Sequence, residues 1–215
     1  LSLEYANAGF LDEAIDVLSN PGLTPENNGG NSPMNSYYLG YFCSKKGDAT
    51  RALDYFSRAS KMSSDYCFPF RLEEIAILET AMKSNPSDAK APFYHGNLLY
   101  DFQPENAIKQ WENSAKIDNS FALVHRNLGY GYYKTNKDLS KSIASYEKAI
   151  SLNNTDQRWF YELDLVYADA RTDLPKRLKL LQDNHKIIVN NNVVDGLSRE
   201  VLLLVQLGQY DKALE

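Results

Sequence analysis

The spacing of one short phrase constrains this chain more than any other feature. "AGFLDEAID" (Ala8–Asp16) runs from a Gly through an Asp and a second charged residue to an Ala and an aliphatic side chain. "KGDATRALD" (Lys46–Asp54) repeats it. "FQPENAIKQ" (Phe102–Gln110) and "NKDLSKSIAS" (Asn136–Ser145) are looser copies, and "LGQYDKALE" (Leu207–Glu215) closes the chain with it. The residue that opens the second half of each phrase falls at Ala14, Ala52, Ala107, Ser142, Arg177 and Ala213, at intervals of 38, 55, 35, 35 and 36 residues. A period in the mid-thirties, split by a turn into two halves with helical periodicity, means pairs of helices. Each pair fails to bury its apolar face alone and stacks on its neighbours.

The clearest copy is "MNSYYLGYFCSKKGDATRALDYFSRASKM" (Met34–Met62). Leu39–Gly40 occupies the first helix, Gly47 the turn, and Ala52, Phe56 and Ala59 the second helix at i, i+4 and i+7, one helical face. A glycine inside a helix costs about 1 kcal/mol against alanine, so Gly40 implies close packing of the two helices. The copy "HRNLGYGYYKTNKDLSKSIASYEKAISLNN" (His125–Asn154) has the same order. Leu128, Gly129 and Tyr132 come first, then Ser142, Tyr146 and Ala149 after a turn one residue longer.

The motifs "YLGYFCSKKGDATRALDYFSRA", "HGNLLYDFQPENAIKQWENSAKID", "RNLGYGYYKTNKDLSKSIASYEKAI" and "LGQYDKALE" resemble the tetratricopeptide repeat (TPR) family over nearly the whole chain. The resemblance implies an all-α fold, an α-α superhelix or TPR solenoid of antiparallel helix pairs. It implies one solenoid domain over 1–215, expected to be a piece of a longer protein. Repeats are expected near 1–20, 34–62, 89–118, 122–153, 157–188 and 197–215, with an irregular stretch at 70–86 whose helix lies near 70–84. The closing phrase is expected to be the hinge of a repeat that continues beyond Glu215.

Three departures stand out. "FRLEEIAILETAMKSNPSD" (Phe70–Asp88) looks like a second helix whose partner is missing or collapsed, because Glu74 follows Ala52 by only 22 residues. "RTDLPKRLKLLQDNH" (Arg171–His185) puts Arg177 where the small residue belongs, with Pro175 early in its helix, where the missing N–H is harmless. "SNPGLTPENNGGNSP" (Ser19–Pro33) reads as a long inter-repeat loop. A closer resemblance rests on "CFPFRLEE", "FYHGNLLYDF", "AIKQWENSAKID" and "VHRNLGYGYYKTN". These look like the C-terminal repeats of a large bacterial family, in which a β-sandwich domain of unknown function, similar to sugar-mutarotase folds, precedes the repeats.

Composition narrows the function. The net charge of −5 and the absence of a basic stripe exclude a nucleic-acid surface. The longest purely aliphatic run, Val201–Val205, is far short of the ~20 residues of a membrane span. Cys43 and Cys67 form no CxxC pair and are expected to be reduced, buried thiols. The cytoplasm is expected over the periplasm. His95, His125 and His185 lie on different repeats without metal-ligand spacing, and no phosphate loop, nucleophile elbow or HExxH is present. The expectation is no catalysis, no cofactor and no metal.

In a TPR solenoid the first helices line a concave groove, as the resemblance implies. Helical spacing puts Tyr37, Tyr38 and Tyr41 on that face, then Phe93, Tyr94, Asn97 and Tyr100, then Arg126, Asn127, Tyr130, Tyr133 and Lys134, then Arg158 and Tyr161. Tyrosine offers a rigid apolar body with a polar tip, suited to holding a peptide or a sugar; the same positions serve equally for packing. The clamp with which some TPR proteins grip a C-terminal carboxylate is matched by Asn97, Asn127 and Arg158, but Phe93 and Glu162 stand where two basic residues belong. The expected function is a protein-interaction scaffold that binds a partner peptide or domain through the groove, with a homodimer allowed for. The alternative is an accessory or oligomerisation arm of a multidomain, carbohydrate-related enzyme.

Overall fold

The computed structural model describes residues 1–19, 32–189 and 194–214. Among these residues there are fourteen α-helices and no strand. Most of the stretch between Ser19 and Pro33, expected to be a loop, lies outside the described residues. The chain divides into two compact units, Leu1–Asp118 and Asn119–Glu215.

In the first unit α1 (Ser2–Asn7) pairs with α2 (Leu11–Ser19), α3 (Pro33–Lys45) with α4 (Ala49–Lys61), and α6 (Lys90–Leu99) with α7 (Pro104–Ile117). In the second unit α8 (Ala122–Gly131) continues into a π-helical turn (Tyr132–Asn136) and pairs with α9 (Leu139–Leu152). There follow α10 (Gln157–Asp169), α11 (Leu174–Asp183), the single turn α12 (His185–Ile188), α13 (Asp195–Gln206) and α14 (Tyr210–Leu214).

The turn grammar has a plain physical basis. The chain passes through left-handed backbone at Gly47 (φ 82°) and Gly208 (φ 72°), where glycine has no Cβ penalty. Lys137 and Arg171 take the same conformation (φ 55° each) in the α8/α9 and α10/α11 turns, which have no glycine. Asp48, Asp138 and Asp173 then cap α4, α9 and α11 by accepting backbone N–H bonds from Arg51, Lys141 and Lys176.

The segment of Phe70–Asp88 contains one helix, α5 (Glu73–Ser84). It packs on α6, α3 and α4, so its neighbours belong to two different hairpins. The 55-residue interval thus holds one unpaired helix, α5, preceded by an irregular stretch, between α4 and α6. Glu74 and Asp88, both buried, bracket the insertion. Glu74 Oε1 accepts from the Tyr38 hydroxyl at 2.9 Å, and Oε2 accepts the N–H groups of Phe70 and Arg71. Asp88 Oδ2 accepts from Tyr37 Oη at 2.7 Å, while its Oδ1 accepts the N–H groups of Lys90 and Ala91 at the start of α6.

Inside the hairpins the small residues act as the sequence implied. A Cβ added at Gly40 would lie 2.5 Å from the Phe56 ring, and one at Gly129 would lie 2.6 Å from that of Tyr146. Gly96 faces Trp111 in the same way. Ala52, Ala59, Ala107 and Ala149 are buried, and Ser142, also buried, donates its hydroxyl to the Gly129 carbonyl at 2.7 Å.

The Arg177 departure is resolved by its partner. Asp164 follows Gly129 by 35 residues, and Arg177 follows Ser142 by 35. Where one hairpin sets a glycine against a serine, the next sets a carboxylate against a guanidinium. Arg177 Nε and Nη2 donate to the two oxygens of Asp164 at 2.8 and 3.0 Å. Asp164 is 0% exposed and Arg177 7%. Arg199, another 35 residues on, donates from Nε to Asp164 Oδ2 at 2.6 Å and ties α13 to α10. One apolar cluster of this unit is Phe160, Leu178, Leu181, Ile188, Leu203 and Leu204, and another is Tyr146, Leu163, Val166 and Tyr167.

Candidate interaction surfaces

The residues expected on the groove face divide sharply by burial. Tyr37, Tyr38, Phe93 and Tyr94 are buried, and of the four Tyr38 borders a cavity. Tyr37 and Tyr94 meet edge to face with centroids 6.0 Å apart. Burial first, and then the Asp88 and Glu74 carboxylates, push the Tyr37 and Tyr38 hydroxyls far above their ordinary range, so both remain donors. Their role is packing between helices of the first unit.

The other residues of the set in that unit are half-buried. Tyr41 lies under Lys45 Nζ at 5.3 Å, Tyr100 stacks on Trp111 at 5.1 Å, and Asn97 Oδ1 accepts from Trp111 Nε1 at 3.0 Å.

The second unit brings its share of the set together on α8, the π-turn and α10. Arg126 donates from Nε to Glu162 Oε2 at 2.9 Å and from Nη2 to Glu162 Oε1, a bidentate pair from α8 to α10. The same guanidinium lies over the Tyr130 ring at 5.4 Å and donates to Asn127 Oδ1 at 3.3 Å. Tyr133 Oη donates to Asp169 Oδ2 at 2.6 Å, and that bond, ahead of partial burial, raises the hydroxyl above its usual range. Lys134 Nζ lies 4.5 Å from the Tyr133 ring centroid. Arg158 turns back onto Asp156, the cap of its own helix, and Tyr161 is half-buried. Arg126, bonded through both carboxylate oxygens of Glu162, is not set out as a free cation for a ligand carboxylate.

Three of these contacts are separated by about one repeat. Arg126–Glu162 and Tyr133–Asp169 are each 36 residues apart, and Asp164–Arg199 is 35 apart, so side chains at equal places in successive copies bond one another. Tyr38–Glu74, also 36 apart, instead joins α3 to the extra helix α5. Asp169 and Glu74 were not among the candidates from sequence. The repeat length, applied to a donor and an acceptor, finds Asp169, whereas Glu74 lies on the extra helix α5 and outside the repeat register.

A second feature was also absent from the sequence reading. In the first unit a cavity of about 320 Å³ is bordered by Met34, Tyr38, Cys67, Phe70, Arg71 and Glu74, among others. Cys67 is buried beside the Tyr94 hydroxyl, and burial raises its thiol above the ordinary range, so it is a poor nucleophile. Beside the cavity Tyr66, Phe68, Phe70 and Leu72 are 94%, 75%, 76% and 78% exposed.

The histidines are structural in their contacts. His95 is buried, with its pKa pushed down by burial; His125 Nε2 lies 3.0 Å from the Asn119 carbonyl oxygen; His185 Nδ1 lies 2.8 Å from Glu200 Oε2. Among the described residues no three His, Cys, Asp or Glu side chains gather as a metal site would need, and no helix is long and apolar enough to cross a membrane.

Helix pairs with this period and this small-residue packing define a helical-repeat protein, and residues 126–156 match the family model of the tetratricopeptide repeat. Solved structures agree on the fold. A crystal structure of MamA protein aligns with TM-score 0.54 and 18% identity, over 86% of this chain and 87% of that one. Pseudomonas aeruginosa PilF aligns with TM-score 0.52 and 15% identity over 99% and 84%. The RS-1 MamA ArsTM double mutant aligns with TM-score 0.50 and 17% identity over 89% and 92%. No curated protein matches the sequence. The chain carries a tetratricopeptide repeat at residues 126–156 within an all-α fold of helix pairs.

Proposed function

We propose that this chain is a protein-interaction scaffold, and that an extended segment of a partner lies across α8, the π-turn and α10. The observation that carries this reading is the bracing of that face. Arg126, Asn127, Tyr130, Tyr133 and Tyr161 are partly exposed there. The Arg126–Glu162 and Tyr133–Asp169 bonds hold the first two tyrosines and the guanidinium in place before any ligand arrives. A surface fixed in advance loses less conformational entropy on binding. Tyrosine and arginine are also the residue types that dominate interface energetics. The mixed charge of the face suits a peptide backbone with polar side chains better than a bare carboxylate, because Glu162 already holds Arg126. The solved structures support the scaffold only through their shared fold, and none of them supports the alternative of an enzyme arm.

A random peptide library displayed on phage tests the reading directly. The expected result is a consensus motif enriched on the wild-type chain. Its synthetic form should bind at least about tenfold more weakly when Tyr130→Ala and Asn127→Ala are combined, the loss typical of one or two interface anchors. Enrichment of no motif, or of motifs indifferent to that double substitution, would refute binding at this face.

A further inference from the structure

The segment "DYCFPFRLE" (Asp65–Glu73) is unlike any other exposed stretch of the described chain. Its Cys67 is buried, while Tyr66, Phe68, Phe70 and Leu72 stand 94%, 75%, 76% and 78% exposed. Four large apolar side chains within seven residues form a contiguous run, whereas scattered exposed hydrophobics need no explanation. Tyr66 is held in left-handed backbone (φ 56°), where a non-glycine residue is strained, and that turn projects its ring outward. Arg71 lies over the Phe70 ring at 5.3 Å. Aromatics with an interleaved arginine, bounded by the exposed acids Asp65 and Glu73, have the composition of an interface centre with a charged rim.

Electrostatics select the occupant. The first unit holds sixteen acidic against ten basic residues, while the second holds twelve against thirteen. The chain's negative charge therefore resides on the unit that carries the aromatic run. The cavity behind the run, about 320 Å³, has Tyr38 and Glu74 in its wall. Glu74 Oε2 takes two backbone N–H bonds and Oε1 takes only the Tyr38 hydroxyl, leaving Oε1 room for one more donor. Among the described residues of that wall the cationic side chain is Arg71, and it lies over Phe70.

We propose that the Tyr66–Leu72 run and its cavity form a second docking surface, for a basic amphipathic segment of a partner protein. Its apolar side chains cover Tyr66, Phe68, Phe70 and Leu72. One lysine or arginine lays its methylene stem along the aromatic wall and brings its charge to Glu74 Oε1. This site lies in the first unit and is independent of the α8–α10 face.

Two labelled peptides of identical helical pattern, one of Leu and Lys and the other of Leu and Glu, are the probes, read by fluorescence anisotropy against the whole chain. The Leu–Lys peptide should saturate and bind at least about tenfold more tightly than the Leu–Glu peptide, with an affinity that falls as salt rises. Phe68→Ser combined with Phe70→Ser should weaken it by at least about tenfold. Both side chains are largely exposed, so the helical circular dichroism and melting midpoint should stay unchanged, which separates lost docking from lost fold. Equal binding of the two peptides, or binding untouched by the double substitution, overturns the proposal. So does concentration-dependent dimerisation that the same substitutions abolish, since the occupant would then be a second copy. Binding of anionic lipid vesicles in place of the Leu–Lys peptide would overturn it as well.

Discussion

Asp164→Ala is expected to lower the unfolding free energy by about 3–5 kcal/mol, the range for removing one partner of a buried ion pair. The carboxylate is fully buried and receives three donors from two arginines. Without it, Arg177 keeps its charge, because a guanidinium does not deprotonate in a protein, and it has almost no water to turn to. Arg199, one-fifth exposed, can relax toward solvent, so Arg199→Ala should cost clearly less. Asp164→Leu combined with Arg177→Leu should recover much of the loss, since an apolar pair replaces the buried ionic one and the remaining Arg199, one-fifth exposed, can turn to solvent. Urea denaturation gives all three values. A loss below about 1 kcal/mol for Asp164→Ala, the size of an exposed pair, would mean that the two arginines do not depend on this carboxylate.

Gly129→Ala is the second large effect, and its sign runs against helix propensity. At an open helical position the change would gain about 1 kcal/mol. Here the new methyl group would lie 2.6–2.8 Å from Tyr146 Cδ2, Cε2 and Cγ. Contact with Cγ, at the root of the ring, cannot be relieved by swinging the ring tip, and Tyr146 is only 1% exposed. Overpacking of this kind costs typically about 1–3 kcal/mol, occasionally more, so α8 and α9 must move apart or the ring must leave its rotamer. We expect a net loss of about 1–3 kcal/mol. Tyr146→Leu in the same chain should make Gly129→Ala nearly neutral, because the two positions share one space and should couple. A stabilised Gly129→Ala variant would contradict the close approach of these helices.

What the sequence made legible was whatever recurs. The repeat interval located the α3/α4, α6/α7 and α8/α9 pairs, and the i, i+4, i+7 spacing identified Ala52, Phe56 and Ala59 as one buried face. Residues that depart from the repeat were harder to place. Arg177 looked like a defect in a column of small residues, because its partner Asp164 lies in the preceding helix and no local pattern marks it. The α5 segment has helical periodicity but follows no turn signal of the repeat, so its neighbours α3, α4 and α6 could not be deduced from spacing. The first-helix face was legible as a face only. Helical periodicity cannot separate Tyr37 and Tyr94, which are buried and meet edge to face, from Tyr130 and Tyr133, which keep an edge in solvent. The exposed aromatics at 66–72 lie in an extended stretch, outside any helical pattern.

The account rests on side chains at equal places in successive copies being bonded to one another. A double-mutant cycle on Arg126 and Glu162 tests this most directly, using Arg126→Ala, Glu162→Ala and the double variant in urea denaturation. The pair is bidentate and mostly shielded from solvent. We predict a coupling energy of about 1 kcal/mol or more, with most of the loss already present in either single variant. Single effects that simply add, within about 0.3–0.5 kcal/mol, would show that the two residues do not meet and would contradict the repeat-to-repeat bracing on which the proposed binding face depends.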